Sequence, residues 1–132
     1  MGWVWCKRLG DTKSEYSEGR IQKKVGFENG KETTEEKYRY YENGQLWIKY
    51  NFKDGQEHGL QESYYENGQL NYKSNFKDGE LHGLVESYYE NGQLDYKSNY
   101  KDGERHGLYE SYHENGKLLF SNKYENGMKV SD

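Results

Sequence analysis

The sequence predicts an all-β protein, an elongated antiparallel meander of stacked β-hairpins that repeats every 24 residues. Three observations predict this fold. The 132 residues include 16 glycines and 15 tyrosines but no proline or alanine, a composition unsuited to helices. A seven-residue segment recurs at constant spacing, and two kinds of glycine turn alternate between its copies. Short strands joined by tight glycine turns account for all three observations, so we expect no helix.

The repeat consists of two recurring segments. Tyr-Tyr-Glu-Asn-Gly-Gln-Leu occupies 40–46, 64–70 and 88–94, and returns at 112–118 with His113 and Lys117 as replacements. The segment Asn-Phe-Lys-Asp-Gly-x-x-His-Gly-Leu lies between these copies, at 51–60, 75–84 and, with Tyr100 for Phe, 99–108. Self-similarity at a fixed period indicates a repeat architecture.

The repeat defines the domain organisation. We expect residues 1–15 to form an N-terminal cap segment and residues 16–132 to form a single repeat domain. The first unit is a worn copy with a one-residue insertion before Tyr41. The predicted units are about 16–40, 41–64, 65–88 and 89–112, with a partial unit at 113–132.

The turns predict strands and register. Asn-Gly pairs such as 91–92 and Asp-Gly pairs such as 78–79 are typical of two-residue type I′ hairpins, which gives roughly ten strands. A two-residue loop at 91–92 sets Tyr88 opposite Asp95 and Glu86 opposite Lys97. The same rule sets Glu62 opposite Lys73, and opposed unlike charges support this register.

This register sorts the side chains onto two faces. Glu86 and Tyr88 lie on a polar face, and the other face is aromatic, with Val85 and Leu94 among its members. We expect Tyr72, Tyr89 and Tyr96 to act as a substitute core, with Ser74 and Ser98 making room for neighbouring rings. The aromatic face must be covered by curling of the sheet, by a second copy or by a partner.

Composition and charge limit the function. The chain has 19 basic and 23 acidic residues, a net charge of −4, so we expect no nucleic-acid binding, and charge does not indicate membrane association. Cys6 is the sole cysteine, so no internal disulfide can form. No apolar run is long enough to span a bilayer or to form a signal peptide. We expect a cytoplasmic protein, although a chain trimmed of an export signal would have the same sequence.

The segment Tyr72-x-Ser74-x-Phe76-x-x-Gly79-x-x-His82-Gly83 resembles the MORN repeat, and Tyr-Tyr-Glu-Asn-Gly-Gln-Leu resembles its bacterial variant. The sequence departs from the eukaryotic pattern by having Ser for the central Gly and Phe or Tyr for Trp. The resemblance implies stacked β-hairpins that bind other molecules without catalysis. Bacterial members of the variant class are grouped as antitoxin-like, while eukaryotic relatives are linked to membrane tethering and scaffolding.

No catalytic, cofactor-binding or metal-binding residues are predicted. His58, His82 and His106 recur every 24 residues. Each unit contains two strands, so equivalent atoms of successive histidines should lie about 9–10 Å apart. This distance is too long for one zinc ion to bind two of them. We interpret them as turn residues before a glycine. No nucleophile–base arrangement interrupts the repeat, so we expect no enzymatic activity.

The predicted binding residues form an aromatic row on the polar face: Tyr40, Tyr64, Tyr88 and Tyr112, with Trp47 at one end. Trp47 takes the position of Asn71 and Asp95, and the register sets it opposite Tyr40. Trp and Tyr are frequent at binding hot spots. In the alternative interpretation, Trp3 and Trp5 fold back over Trp47 as a cap.

Charge indicates the kind of partner. Residues 41–112 carry 7 basic and 13 acidic side chains, a net of −6, whereas residues 1–40 carry 9 and 7, a net of +2. The resemblance implies a protein-binding module, antitoxin- or immunity-like, that binds and neutralises its partner, and the acidic face suits a basic toxin. The alternatives are a self-associating or membrane-associated scaffold that assembles through its aromatic face, and a glycan-binding surface module.

Overall fold

The computed structural model describes the backbone of residues 2–8 and 10–130 and the side chains of residues 12–130. This part of the chain forms one antiparallel sheet of fourteen strands without a helix, in which consecutive strands are neighbours apart from two short strands that each pair only with the strand before them. The strands are β1 (Gly2–Arg8), β2 (Gly10–Ser17), β3 (Arg20–Glu28), β4 (Lys31–Tyr40), β5 (Leu46–Lys53), β6 (Gln56–Glu57), β7 (Gly59–Tyr64), β8 (Leu70–Lys77), β9 (Glu80–Leu81), β10 (Gly83–Tyr88), β11 (Leu94–Lys101), β12 (Glu104–Tyr112), β13 (Leu118–Glu125) and β14 (Met128–Val130). The predicted all-β meander of hairpins is confirmed.

The strand count exceeds the predicted ten for two local reasons. The strands β1 and β2 pair with each other and extend the sheet ahead of the repeat. The short strands β6 and β9 are the first parts of strands that resume as β7 and β10 after an interruption at His58 and His82. The role of residues 1–15 as a cap remains a prediction.

The Asp-Gly turns have the predicted type I′ geometry. Asp78 and Gly79 have φ values of 50° and 87°, and Lys77 pairs with Glu80 across them. The turns at 54–55 and 102–103 match. Two successive residues at positive φ define this turn type. Asn126-Gly127 takes the same form, so asparagine replaces aspartate there without changing the turn.

The Asn-Gly turns do not have the predicted type I′ geometry in the Tyr-Tyr-Glu-Asn-Gly-Gln-Leu segments, so this prediction is wrong. At 91–92 only Gly92 has positive φ, and its N–H donates to the Tyr89 carbonyl at 2.9 Å. Tyr89 N–H donates to the Gln93 carbonyl at 2.8 Å, which closes a three-residue loop. The Asn91 Oδ1 atom accepts the Gln93 N–H at 2.9 Å, so its side chain fixes the turn in place of a positive φ.

A β-bulge corrects the register beyond this loop. Tyr88 pairs with Leu94 and not with Asp95, whereas Ser87 pairs with Tyr96 and Glu86 with Lys97. The extra loop residue is offset by one extra residue, Asp95, in the bulged strand. The predicted pairs Glu86–Lys97 and Glu62–Lys73 are therefore confirmed, while the pairing of Tyr88 with Asp95 and the placing of Leu94 on the aromatic face are wrong.

Alternating charges cross the polar face of the sheet. Lys73 pairs with Glu62 on one side and Glu86 on the other, and Lys97 pairs with Glu86 and Glu110. Lys97 Nζ lies 3.5 Å from Glu110 Oε1. A shift of one residue would bring these strands out of charge register, so the ladder helps to specify the fold.

The core of this single-layer sheet is thin. Val25 and Val85 are its buried apolar side chains among the described residues, and Ser74 and Ser98 beside the rings are only 1% exposed. This agrees with the prediction that small residues make room for rings. The accessible surface is 8797 Å², against about 7,300 Å² for a globular protein of 15.7 kDa. The excess shows that the sheet remains open.

Tyr72 and Tyr96 are half-buried on the aromatic face, as predicted. Burial raises the pKa of Tyr72, and it raises the pKa of Tyr96 to about 12. Tyr96 stacks on Tyr109 with ring centroids 5.8 Å apart. Tyr89 does not belong to this core, because the three-residue loop places it in the turn.

Candidate protein-binding edge

In the first three Tyr-Tyr-Glu-Asn-Gly-Gln-Leu segments, the second tyrosine links its segment to the next copy along the chain. The hydroxyl of Tyr65 donates to the Tyr88 carbonyl at 2.6 Å, and those of Tyr41 and Tyr89 donate to the carbonyls of Tyr64 and Tyr112 at 2.7 Å. These bonds, which we call the tyrosine staples, run along the edge of the sheet where the three-residue loops lie. We call this edge the turn edge. His113 replaces tyrosine in the fourth segment, so the series ends there.

Asparagine side chains add a second link at the turn edge. Asn43 Nδ2 donates to the Glu66 carbonyl at 3.0 Å, and Asn91 Nδ2 donates to the Glu114 carbonyl at the same distance. Staples and amides together hold each loop against the next one. The turn edge is therefore a continuous surface built from equivalent residues of successive units.

The predicted row of first tyrosines exists, but its side chains already serve the sheet. Tyr40, Tyr64, Tyr88 and Tyr112 are half-buried. Tyr88 OH donates to Glu86 Oε2 at 2.8 Å, and Tyr64 OH donates to Glu62 Oε2 at 3.0 Å. Burial, followed by these hydrogen bonds to carboxylates, raises the pKa of both tyrosines. These hydroxyls therefore help to orient the charge ladder.

Trp47 does not lie opposite Tyr40 as predicted. Tyr40 pairs with Leu46 and Arg39 pairs with Ile48, so Trp47 is the extra residue of the bulge. Its ring is 44% exposed and contacts the Tyr41 ring at a centroid distance of 5.8 Å. The prediction that Trp3 and Trp5 cover it lies outside the residues whose side chains are described.

An arginine lies over the neighbouring Tyr40 ring at this point of the turn edge. The Arg20 guanidinium lies 5.8 Å from the centroid of the Tyr40 ring, and it also lies beside Gly44 in the loop that Tyr41 begins. Tyr40 OH donates to the Ile21 carbonyl at 2.6 Å. Trp, Tyr and Arg are the residues most enriched at binding hot spots. We call Arg20, Tyr40, Tyr41 and Trp47 the aromatic cluster.

A row of exposed carboxylates continues along the turn edge. Glu42, Glu66, Glu90 and Glu114 occupy the same position of each three-residue loop, and all four are exposed. None of them forms an ion pair with a residue of the described range. Sequence reasoning counted this charge without locating it, and it missed Tyr41 and Arg20. The glutamate that recurs in every copy of the segment is the sequence feature that could have predicted this row of carboxylates.

The opposite edge carries the histidines. His58 Nδ1 accepts the Asp78 N–H at 3.4 Å, and His82 Nδ1 accepts the Asp102 N–H at 3.5 Å, so each histidine contacts the next Asp-Gly turn. The backbone N–H groups of His58 and His82 donate to the carbonyls of Asn51 and Asn75 at 3.0 and 2.9 Å. Among the described residues, no group of three or more His, Cys, Asp or Glu side chains could hold a metal ion.

The described residues include no helix with the length and apolar character needed to cross a membrane.

Hairpins of this kind, stacked at a period of 24 residues and tied by tyrosine hydroxyls at three successive loops, define a β-repeat protein. The family description "MORN repeat variant" matches residues 36–54, 57–78, 81–102 and 105–126, which is more than half of the chain. The chain belongs to this family. MORN repeats are generally modules that bind proteins or membranes.

No curated protein matches this sequence. Among solved structures, the crystal structure of TarM is similar over 78% of this chain and 20% of that chain, with 10% identity and a TM-score of 0.40. A structure of S. aureus TarM in complex with Fondaparinux, alpha-GlcNAc-glycerol and UDP is similar over 79% and 21%, with 8% identity and the same TM-score. The chain thus spans about a fifth of these proteins, and at these scores the similarity has no bearing on its function.

Proposed function

We propose that this chain is a non-enzymatic module that binds and neutralises a basic partner protein through its turn edge. The observation that carries the proposal is Trp47. It is exposed at a bulge where the equivalent residues are Asn71 and Asp95, so the fold does not need an aromatic ring there. A residue that the fold does not require, placed beside Tyr41 at the turn edge, is well suited to anchoring a partner.

The carboxylate row supplies the charge for such a partner. Glu66, Glu90 and Glu114 recur along the same edge as Trp47, and they are exposed without ion pairs among the described residues. Complementary charge accelerates association and favours partners of opposite sign. A basic protein, such as a toxin that binds nucleic acid, fits this combination of an aromatic anchor and an acidic row.

The first experiment is affinity capture from an extract of the source organism, followed by measurement of the affinity of the purified pair. Trp47→Asn, which installs the residue of the equivalent bulge, should weaken binding about 30-fold or more if the ring is a hot spot. Asn71→Asp is the matched control, because it exchanges residues found at equivalent bulges, and it should bind like the wild type.

Two results would sink the proposal. One is binding to lipid vesicles with no protein partner recovered. The other is equal affinity for Trp47→Asn and Asn71→Asp. Inhibition of the partner's activity by the wild-type chain would support the neutralising role, and binding without inhibition would reduce the proposal to a docking module.

A further inference from the structure

Trp47 presents an exposed aromatic face at the turn edge. Its ring is 44% exposed and contacts the Tyr41 ring at a centroid distance of 5.8 Å, with the two planes 38° apart. No lysine or arginine of the described residues lies over the Trp47 ring. Trp is the best acceptor of a cation among the aromatic side chains, because the face of its ring is electrically negative. This face is therefore available to a cation of another molecule.

The other rings of the aromatic cluster are already occupied. The Arg20 guanidinium lies 5.8 Å from the centroid of the Tyr40 ring. Tyr41 is half-buried, and its hydroxyl donates to the Tyr64 carbonyl at 2.7 Å. Trp47 is thus the ring of this cluster that remains for a partner.

The surroundings of Trp47 favour a cation over an aliphatic side chain. Glu42, in the loop that Tyr41 begins, and Glu66, in the next loop, are exposed without ion pairs among the described residues. A hydrophobic anchor gains from a contiguous apolar patch. The exposed leucine and methionine side chains of the described range lie on β12–β14, several strands from β5: Leu108, Leu118, Leu119 and Met128. A single ring on an edge that carries carboxylates suits a positive charge instead.

The fold holds these groups in place before a partner arrives. Tyr41, which contacts the Trp47 ring, is fixed to the next loop by its bond to the Tyr64 carbonyl. Asn43 Nδ2 donates to the Glu66 carbonyl at 3.0 Å and so fixes the backbone of that glutamate. Binding to groups that are already ordered costs less conformational entropy.

We propose that the exposed face of Trp47 binds an arginine side chain of the basic partner. The guanidinium stacks on the indole ring, and its N–H groups donate to carboxylates of the turn edge. Arginine fits better than lysine, because its planar group can stack on a ring and still direct its donors at a carboxylate. The assignment rests on the proposed function, since it names the group of the basic partner that the turn edge recognises.

A titration followed by NMR tests this assignment with a defined probe. The peptide acetyl-Gly-Arg-Gly-amide is added to the full chain at constant ionic strength. The readout is the indole Nε1–H signal of Trp47, which is assigned by its loss in Trp47→Asn. We expect a saturable shift with binding in the millimolar range. The same peptide with citrulline, which has the shape of arginine without its charge, should bind about threefold more weakly or worse.

Asn71→Trp is a matched variant that adds a second site. It places an indole at the equivalent bulge of the next unit, beside the loop of Tyr65, which is tied to the following loop as Tyr41 is. The new indole signal should also shift with the arginine peptide and respond less to the citrulline peptide. This variant retains Trp47, so the test does not depend on the stability of Trp47→Asn.

Fluorinated tryptophan separates this assignment from the proposed function. Monofluorinated and trifluorinated tryptophan keep the shape of the ring but make its face progressively less negative. The affinity of the full chain for the captured partner should fall stepwise, by about 2- to 10-fold in total. The same labels in Trp47→Asn, where they reach only Trp3 and Trp5, should leave the affinity of that variant unchanged.

Three results would overturn the assignment. One is an equal response of Trp47 to the arginine and citrulline peptides. Another is the absence of any shift of its signal up to about 50 mM arginine peptide. The third is an affinity for the partner that Trp47→Asn lowers but fluorination leaves unchanged, which would preserve the binding surface and exclude a cation on the ring.

Discussion

The tyrosine staples lead to a quantitative prediction about how consecutive copies of the segment are held together. Tyr65→Phe removes the hydroxyl that donates to the Tyr88 carbonyl at 2.6 Å and leaves the ring in place. One such hydrogen bond contributes about 1 kcal/mol net to the free energy of unfolding. Equivalent atoms of adjacent units lie about 9–10 Å apart, so replacing Tyr41, Tyr65 and Tyr89 together should cost about 3 kcal/mol.

Urea unfolding followed by far-ultraviolet circular dichroism measures this loss, and Tm should fall by about 3–6 °C per kcal/mol for a chain of this size. Tyr112→Phe is the matched control, because the Tyr112 hydroxyl makes no hydrogen bond within the described residues. It should change stability by less than about 0.5 kcal/mol. A triple variant that loses less than about 1 kcal/mol, or a control that loses as much as Tyr65→Phe, would refute the role of the staples.

Three further perturbations test the sheet. The buried Ser98 Oγ has no hydrogen-bond partner in the described range. In urea unfolding, Ser98→Ala should therefore leave the stability of the protein unchanged or raise it by up to about 1 kcal/mol. Ser98→Leu should lower the stability by about 1–3 kcal/mol, because the larger side chain overpacks the site. Lys73→Glu opposes Glu62 and Glu86 and should lower the urea midpoint, with Lys73→Gln intermediate. The pKa of Tyr96 is raised to about 12, so the unfolded chain ionises first and stability should fall between pH 10 and 12. After allowance for solvent screening, Tyr96→Phe should remove about 1 kcal/mol of this loss in a pH titration of unfolding.

Each of these three predictions has a result that contradicts it. Destabilisation by Ser98→Ala would mean that its hydroxyl has a partner. Equal stability of Lys73→Glu and Lys73→Gln would mean that the charge ladder does not stabilise the sheet. An unchanged alkaline transition in Tyr96→Phe would assign that transition to other groups.

The sequence was sufficient to predict the hairpin meander, because period, turn residues and paired charges all indicate the same architecture. It also gave the correct pairing of Glu86 with Lys97, although through a turn of the wrong type. Asn-Gly is compatible both with a type I′ turn and with a three-residue loop and bulge. The choice depends on the side chain of Asn91, which bonds to the next unit, and a contact 23 residues away is not visible in the local pattern.

The candidate site was harder to predict for the same reason. Because of a β-bulge, Trp47 does not pair with Tyr40, and its ring contacts Tyr41 instead. The sequence pattern does not reveal this bulge, because the extra residue of the loop cancels its effect on the register of the strands. Arg20 reaches the Tyr40 ring within the worn first copy of the repeat, where the spacing is least regular. The uneven charge was visible in the sequence, but its concentration at Glu66, Glu90 and Glu114 depends on the loops lying on one edge.

The affinity of the captured partner for two charge-matched triple variants tests the central claim most directly. One variant removes three negative charges from the turn edge and combines Glu66→Gln, Glu90→Gln and Glu114→Gln. The other removes the same charge from the opposite edge and combines Asp54→Asn, Asp78→Asn and Asp102→Asn. Asn126-Gly127 shows that the turns of that edge accept asparagine. We expect the glutamine variant to bind at least about tenfold more weakly and with less dependence on salt, and the asparagine variant to bind like the wild type. Equal weakening in both variants, or in neither, would contradict a binding surface at the turn edge.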